Sequence, residues 1–200
     1  MIEKFKNLFP ENVENGIENP IIDSELSYKE MLDSFNPDWS NEIIEKQKLV
    51  NVLYYSFDNK IHQGQIIINK KLEKDIDEIF KLAMQIKFPI EKTSPISTYY
   101  WNDKISMEYN NTSGFNYRKI LGSERLSNHA YGFAIDINPR LNPFIKDGKI
   151  LPDGANYDKT KTGTLTVENP IVKKFKELGW IWGGDWESIK DYQHFEKVLQ

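Results

Sequence analysis

Two short stretches hold the side chains best able to do chemistry. One is Ser127-Asn128-His129-Ala130-Tyr131-Gly132-Phe133-Ala134-Ile135-Asp136; the other is Asp191-Tyr192-Gln193-His194-Phe195-Glu196. His129 offers a neutral nitrogen donor and Asp136 a hard anionic oxygen, and a turn at Gly132 would bring both to one point. His194 could add a third donor from far along the chain. Three protein ligands with a fourth position open describe a catalytic zinc site, whereas a structural zinc takes four ligands, often thiolates. Asp191 lies three residues before His194. Zinc lowers the pKa of a water to about 7. A carboxylate beside that water takes its proton as general base and later returns it to the leaving amine.

The chain has three histidines and no cysteine. Thiolate zinc sites, Fe–S clusters, disulfides and thiol nucleophiles are therefore excluded, and a transition-metal site must use His, Asp or Glu. The third histidine, His62, is expected to tie its hairpin to the core. Each candidate also has a plainer reading. Asp136 could cap a turn, Asp191 could be a solvated loop residue, Ser127 could bond backbone within the turn, and Arg118 could form a surface ion pair of little energetic weight. Glu196 reads equally as an outer support for a metal ligand or as an exposed strand end. Trp180, Trp182 and Trp186 read as core or pocket wall, and Asp185 as a turn residue.

The two stretches together resemble the peptidase family of D-alanyl-D-alanine carboxypeptidases, D-Ala-D-Ala dipeptidases and phage L-alanyl-D-glutamate endolysins. Its signature S-x-H-x-x-G-x-A-x-D is filled by Ser127, His129, Gly132, Ala134 and Asp136. Its later D/E-x-x-H is filled by Asp191 and His194. The resemblance runs from about Phe57 to Glu196. It takes in His62-Gln63-Gly64, Phe88-Pro89-Ile90, Asn111 to Arg118 and Asp136-Ile137-Asn138-Pro139, and is most like the VanY-type branch. It implies that His129, Asp136 and His194 ligate Zn2+ and that Asp191 is the catalytic base and acid. It further implies that Arg118 polarises the scissile carbonyl and stabilises the oxyanion, and that Ser127, with Arg125 as a further candidate, meets the substrate's terminal carboxylate. The implied activity is hydrolysis of a peptidoglycan stem peptide, first as a D-alanyl-D-alanine carboxypeptidase. The alternatives are an L-alanyl-D-glutamate endopeptidase, as in a phage lysin, and a non-catalytic zinc-containing binding module like the hedgehog signalling domain.

Elements must position these residues. Leu49–Phe57 and Gln65–Ile68, joined by a turn at Asp58-Asn59-Lys60, predict a β-hairpin. Asn69 can cap the next segment, in which Leu72, Ile76, Ile79, Phe80, Ala83 and Ile86 recur at helical spacing until Pro89. Phe133–Ile137 predicts a buried strand. Asn169-Pro170 opens a second helix with Ile171, Val172, Phe175 and Leu178 inward and Gly179 at its end. Trp180–Trp182 and His194–Val198 predict short strands. Residues 90–128 and 140–168 read as irregular. The class expected is α+β, a small mostly antiparallel sheet with flanking helices, and the resemblance implies a hedgehog/D-Ala-D-Ala-peptidase-like zinc fold.

Residues 1–45 are expected to form a partly helical arm, with Ser27 and Glu30 as a capping box, and residues 46–200 the peptidase domain. Apolar residues make up 39% of the 200, enough for one core, and the net charge is −4. No nucleic-acid partner is expected of such a balance. No run of about 18 apolar residues is present, so no transmembrane helix is expected, and Met1–Pro10 lacks the apolar stretch of a signal peptide. The expected setting is the cell envelope or exterior if a signal was removed, or the cytoplasm before release; a monomer is expected.

Overall fold

In the computed structural model, residues 19–120 and 122–198 are described. The order is β1 (Ile21–Ile22), α1 (Tyr28–Asp33), α2 (Asn41–Ile44), β2 (Gln47–Tyr55), β3 (Ile61–Asn69), α3 (Glu73–Gln85), β4 (Lys92–Thr93), α4 (Asp103–Glu108) and β5 (Asn111–Thr112). There follow β6 (Ala134–Asp136), β7 (Phe144–Lys146), β8 (Lys149–Leu151), α5 (Pro170–Glu177), β9 (Ile181–Trp182), β10 (Lys190–Asp191) and β11 (His194–Glu196).

The mixed α+β class matches the expectation, but the strands are divided among several small sheets rather than one. Among the described residues these are β1-β3-β2, β10-β7-β8, β6-β11-β9 and the pair β4-β5. Most pairings are antiparallel; β1 with β3 and β4 with β5 are parallel. The reason is length: only β2 and β3 reach nine residues, and strands of two or three cannot extend a common sheet.

The β2–β3 hairpin explains the Ile66-Ile67-Ile68 run. Successive side chains of a strand point to opposite faces. Ile66 and Ile68, with Val50, Val52 and Tyr54 of β2, enter the main core, where Ile76, Ile79, Phe80 and Ala83 of α3 and Ile171, Val172 and Phe175 of α5 meet them. Ile67 points the other way, into a second cluster with Met31, Phe35 and Phe115, against which Trp39 and Trp101 pack. That cluster holds residues 28–39 against the hairpin. All nine residues of β3 are buried, because the strand is central in its sheet and covered on both faces.

The expected caps are present. Ser27 and Glu30 form the capping box of α1, Asn69 accepts from the Lys71 amide, and Asn169 accepts from the Ile171 amide with Pro170 opening α5. His62 joins the hairpin to the preceding segment: its Nδ1 is 2.8 Å from Asp23 Oδ2, and its Nε2 is 3.3 Å from Asp58 Oδ1. Tyr54 also donates to Asp23, and burial raises its phenol far above the usual range.

The two stretches read as irregular carry short elements. Within 90–128 lie β4, α4 and β5, and within 140–168 the β7–β8 hairpin. None is long enough to show a periodicity. Asn138 and Asn142 tie these segments together: Asn138 donates to the carbonyls of Pro89 and Gly163, and Asn142 accepts from the Leu165 amide. No described helix is long and apolar enough to cross a membrane.

Candidate metal centre

The register of β6 against β11 does most of the assembly. His194 lies directly opposite Asp136, Phe195 opposite Ile135 and Glu196 opposite Ala134. Directly opposed side chains have Cβ atoms about 4.5–5.5 Å apart. Alternation sends Phe195 and Ile135, both fully buried, into the core, where Phe195 stacks on Phe175 at 3.8 Å. It therefore turns His194, Glu196 and Asp136 to the other face.

His129 arrives on the 3-10 turn Asn128–Tyr131, whose first turn is capped by Ser127 through the His129 amide. Gly132 ends the turn at φ 68° and passes the chain into β6. A Cβ there would lie 2.1 Å from Gln47 Oε1 and 2.6 Å from the Asn69 amide nitrogen. Glycine is thus required both for the left-handed backbone and for the fit against the hairpin.

His129 Nε2, His194 Nδ1 and Asp136 Oδ1 converge. The separations are 3.1 Å between the two nitrogens, 3.2 Å from His129 to Asp136 and 2.9 Å from His194 to Asp136. Donors at the corners of a tetrahedron around zinc, with bonds of about 2.0–2.1 Å, would lie about 3.3 Å apart. All three residues are buried, and they form the one group of ligand-type side chains within such reach among the described residues.

Each imidazole is held through its other nitrogen. His129 Nδ1 lies 2.6 Å from the Gly114 carbonyl, so it carries the proton and leaves Nε2 free. His194 Nε2 lies 3.0 Å from Glu196 Oε2, which also accepts from Asn128 Nδ2 at 2.7 Å. Partners of this kind orient metal-ligating histidines. Of the two readings of Glu196, the structure shows the supporting one. The Gly114 carbonyl is a backbone group with no sequence signal of its own.

Electrostatics follow from this packing. Burial alone would raise the Asp136 carboxyl, but the His129 and His194 imidazoles outweigh it and hold Asp136 well below the carboxylate range. Burial works to lower His194, yet its bonds to Asp136 and Glu196 prevail and raise it to about 10. Such a concentration of anionic charge suits a cation.

Asp191 is carried by β10, paired with Phe144 of β7. The chain packs so closely that a Cβ on Gly183 would lie 2.6 Å from the Asp191 carbonyl oxygen. Burial pushes the Asp191 carboxyl up to about 7; Asp136 adds to the rise, and the imidazoles of His194 and His129 oppose it. Its Oδ1 is buried with no hydrogen-bond partner. Trp186 stands against His194 with ring centroids 5.5 Å apart, forming a wall of the site.

The remaining candidates are placed less centrally. Arg118 Nε lies 3.2 Å from Asp103 Oδ2, close enough for an ion pair but without hydrogen-bond alignment. Its carbonyl accepts from the Ser127 amide, which sets it beside the His129 turn. Ser127 is buried, with its hydroxyl engaged in capping. Arg125 is exposed.

The comparisons agree with this geometry. Residues 121–197 match a family model described as D-alanyl-D-alanine carboxypeptidase. The chain is also 40% identical over 72 residues to the peptidoglycan L-alanyl-D-glutamate endopeptidase CwlK of Bacillus subtilis (strain 168). Over this segment the chain is similar to that peptidase family. The 72 residues are 36% of this chain and 40% of the Bacillus protein. His129, Asp136, Asp191 and His194 all fall within the matched family segment, whereas Arg118 precedes it. No solved structure matches this chain.

Proposed function

We propose that this chain is a zinc-dependent peptidase that hydrolyses a peptide bond in peptidoglycan stem peptides, and that the bond cut is L-alanyl-D-glutamate. The observation that supports the metallopeptidase reading above all is the convergence of three buried donors beside an unpartnered buried carboxylate oxygen. Two nitrogens and one oxygen suit zinc, and the unpartnered Asp191 Oδ1 suits a water as fourth ligand. The small antiparallel sheets with flanking helices support a hedgehog/D-Ala-D-Ala-peptidase-like zinc fold.

His129, Asp136 and His194 would hold the cation, which when bound polarises a carbonyl and acidifies water. Gly114 and Glu196 keep both imidazoles aimed at it. Asp191, with its carboxyl near 7, can accept a proton from the attacking water and release it to the leaving amine at neutral pH. Arg118 would donate to the developing oxyanion, with Asp103 keeping its guanidinium oriented.

The L-alanyl-D-glutamate bond is placed first because the named relative cuts there. The positions of the carboxylate-binding candidates also support it. A carboxypeptidase must hold a terminal carboxylate, and here Ser127 is occupied in capping and Arg125 is exposed. The carboxypeptidase reading stands second, supported by the description of the family model. A stem pentapeptide incubated with the protein, and its products weighed by mass spectrometry, separates the two: cleavage after the first residue against loss of the terminal D-alanine. A chelator should abolish either reaction and zinc should restore it. An intact peptide in the presence of zinc would overturn the proposal. Placement at the cell envelope, after export or after release, goes with this reading.

A further inference from the structure

Beyond the metal centre, an open cavity of about 470 Å³ lies between Phe57, Glu91, Glu108, Tyr109 and Arg140. That is within the ~300–1,000 Å³ of small-ligand sites. Phe57 and Tyr109 give its lining two aromatic rings, and Tyr99 lies against Tyr109. Tyr109 is 64% exposed, and its ring lies 5.7 Å from that of Tyr99. Tyr100, next to Tyr99, is 89% exposed.

The exposure of Tyr100 is built in. Tyr100 and Trp101 adopt left-handed backbone at φ 55° and 59°, a strained conformation for consecutive aromatic residues. Trp101 is held in place by its Nε1 bond to the Ser34 carbonyl and by its packing on Phe35, Trp39 and Phe115. With that side chain fixed inward, the turn presents Tyr100 to solvent. Strain kept by the surrounding structure is a feature of ligand sites.

The polar lining is mixed. Arg140 and Glu91 have no ion-pair partner among the described residues, and Arg140 Nη1 touches only the Glu108 carbonyl, at 3.5 Å. Exposed phenol rings beside both a carboxylate and a guanidinium suit a neutral ligand with an apolar face and many hydroxyls. A charged ligand would meet a like charge here.

The helix α4 contacts both the cavity and residues that neighbour the metal centre. At its first residue, Asp103 pairs with Arg118 and accepts from Asn116. Met107 meets the Gln193 side chain, the neighbour of His194. Glu108 and Tyr109, at the far end, line the cavity. Six residues of helix span about 9 Å.

We propose that this cavity and its tyrosines form a saccharide subsite, which takes an N-acetylated hexosamine of the glycan strand carrying the stem peptide. The pyranose face lies on Tyr109 and Tyr99, and its hydroxyl and acetamido groups bond to Glu91, Glu108 and Arg140. The assignment rests on the peptidoglycan reading above and sharpens it. A sugar held beside α4, whose residues also contact Arg118 and the neighbour of His194, favours scission next to the glycan. The terminal D-alanine lies four residues further, about 13–14 Å of extended chain.

Two measurements test this. First, tetra-N-acetylchitotetraose is titrated into the whole protein and followed by NMR. Shifts confined to residues around Tyr109 and Arg140, weakened about tenfold in Tyr109→Ala as for loss of one aromatic contact, support the subsite. No shifts in the wild type overturn it. Second, kcat/KM is compared for one stem peptide with and without an N-terminal disaccharide. Tyr109→Ala and Arg140→Ala should lower it only for the glycosylated substrate; equal loss on both, or no preference in the wild type, overturns the subsite. If the saccharide binds but neither peptide is cut, the subsite stands and the peptidase reading fails.

Discussion

Asp191 and Glu196 carry acidic side chains of similar type, but packing gives them different work. Asp191 has a buried oxygen without a partner; Glu196 has both His194 and Asn128 on one oxygen. Asp191→Asn should therefore keep zinc, measured by elemental analysis, while kcat falls by about 10²–10⁴, the range for losing a general base. Full turnover in that variant would reject the assignment. Glu196→Gln leaves Asp191 untouched but weakens the grip on His194. Its zinc affinity, measured by competition with a chromophoric chelator, should fall about 10- to 100-fold, with activity recovered at saturating zinc. The sequence motif made the three donors and Asp191 legible as residue types. It left Glu196 undecided, because only the pairing of β11 with β6 shows which face that side chain occupies.

At the scale of elements, the centre depends on one turn and one register. Gly132 both completes the 3-10 turn and meets the hairpin. Gly132→Ala should cost roughly 2–4 kcal/mol, combining a left-handed alanine with an overpacked contact, read from the urea midpoint. Its metal affinity should drop as well, since His129 and Asp136 stand on either side of the residue; a variant as stable as the wild type would contradict that double role. The hairpin, α3, β6 and α5 were readable because their apolar spacing and caps are strong and local. The β7–β8 hairpin and β4, α4 and β5 were not, since two to six residues show no periodicity and are held by Asn138, Asn142 and α4 contacts from elsewhere in the chain.

At the scale of the molecule, the 140–168 excursion is fastened beside the turn between β10 and β11. Tyr157 stacks on Tyr192 at 3.6 Å and donates to the Leu165 carbonyl. Burial pushes the Tyr157 phenol from 10.0 up to about 12, with Tyr192 adding to the rise. A phenol raised by folding gives stability that is present below the unfolded value and lost as pH climbs through the folded one. Stability should therefore fall between about pH 10 and 12. Tyr157→Phe should flatten that limb of the Tm-against-pH profile while costing about 1 kcal/mol at neutral pH for the lost hydrogen bond. An unchanged alkaline limb would show that the Tyr157 phenol does not titrate against folding.

The amino-acid sequence alone determined the donor chemistry, because without cysteine only His, Asp and Glu remained, and His129, Asp136, Asp191 and His194 stood in a spacing that few families share. It determined the long elements too, since period-two and helical patterns are local properties of a chain. The tertiary structure alone decided which atoms converge. The register that sets His194 opposite Asp136, the Gly114 carbonyl that fixes the His129 tautomer and the burial that leaves Asp191 Oδ1 without a partner all arise between segments distant in sequence, and no local pattern encodes such distances.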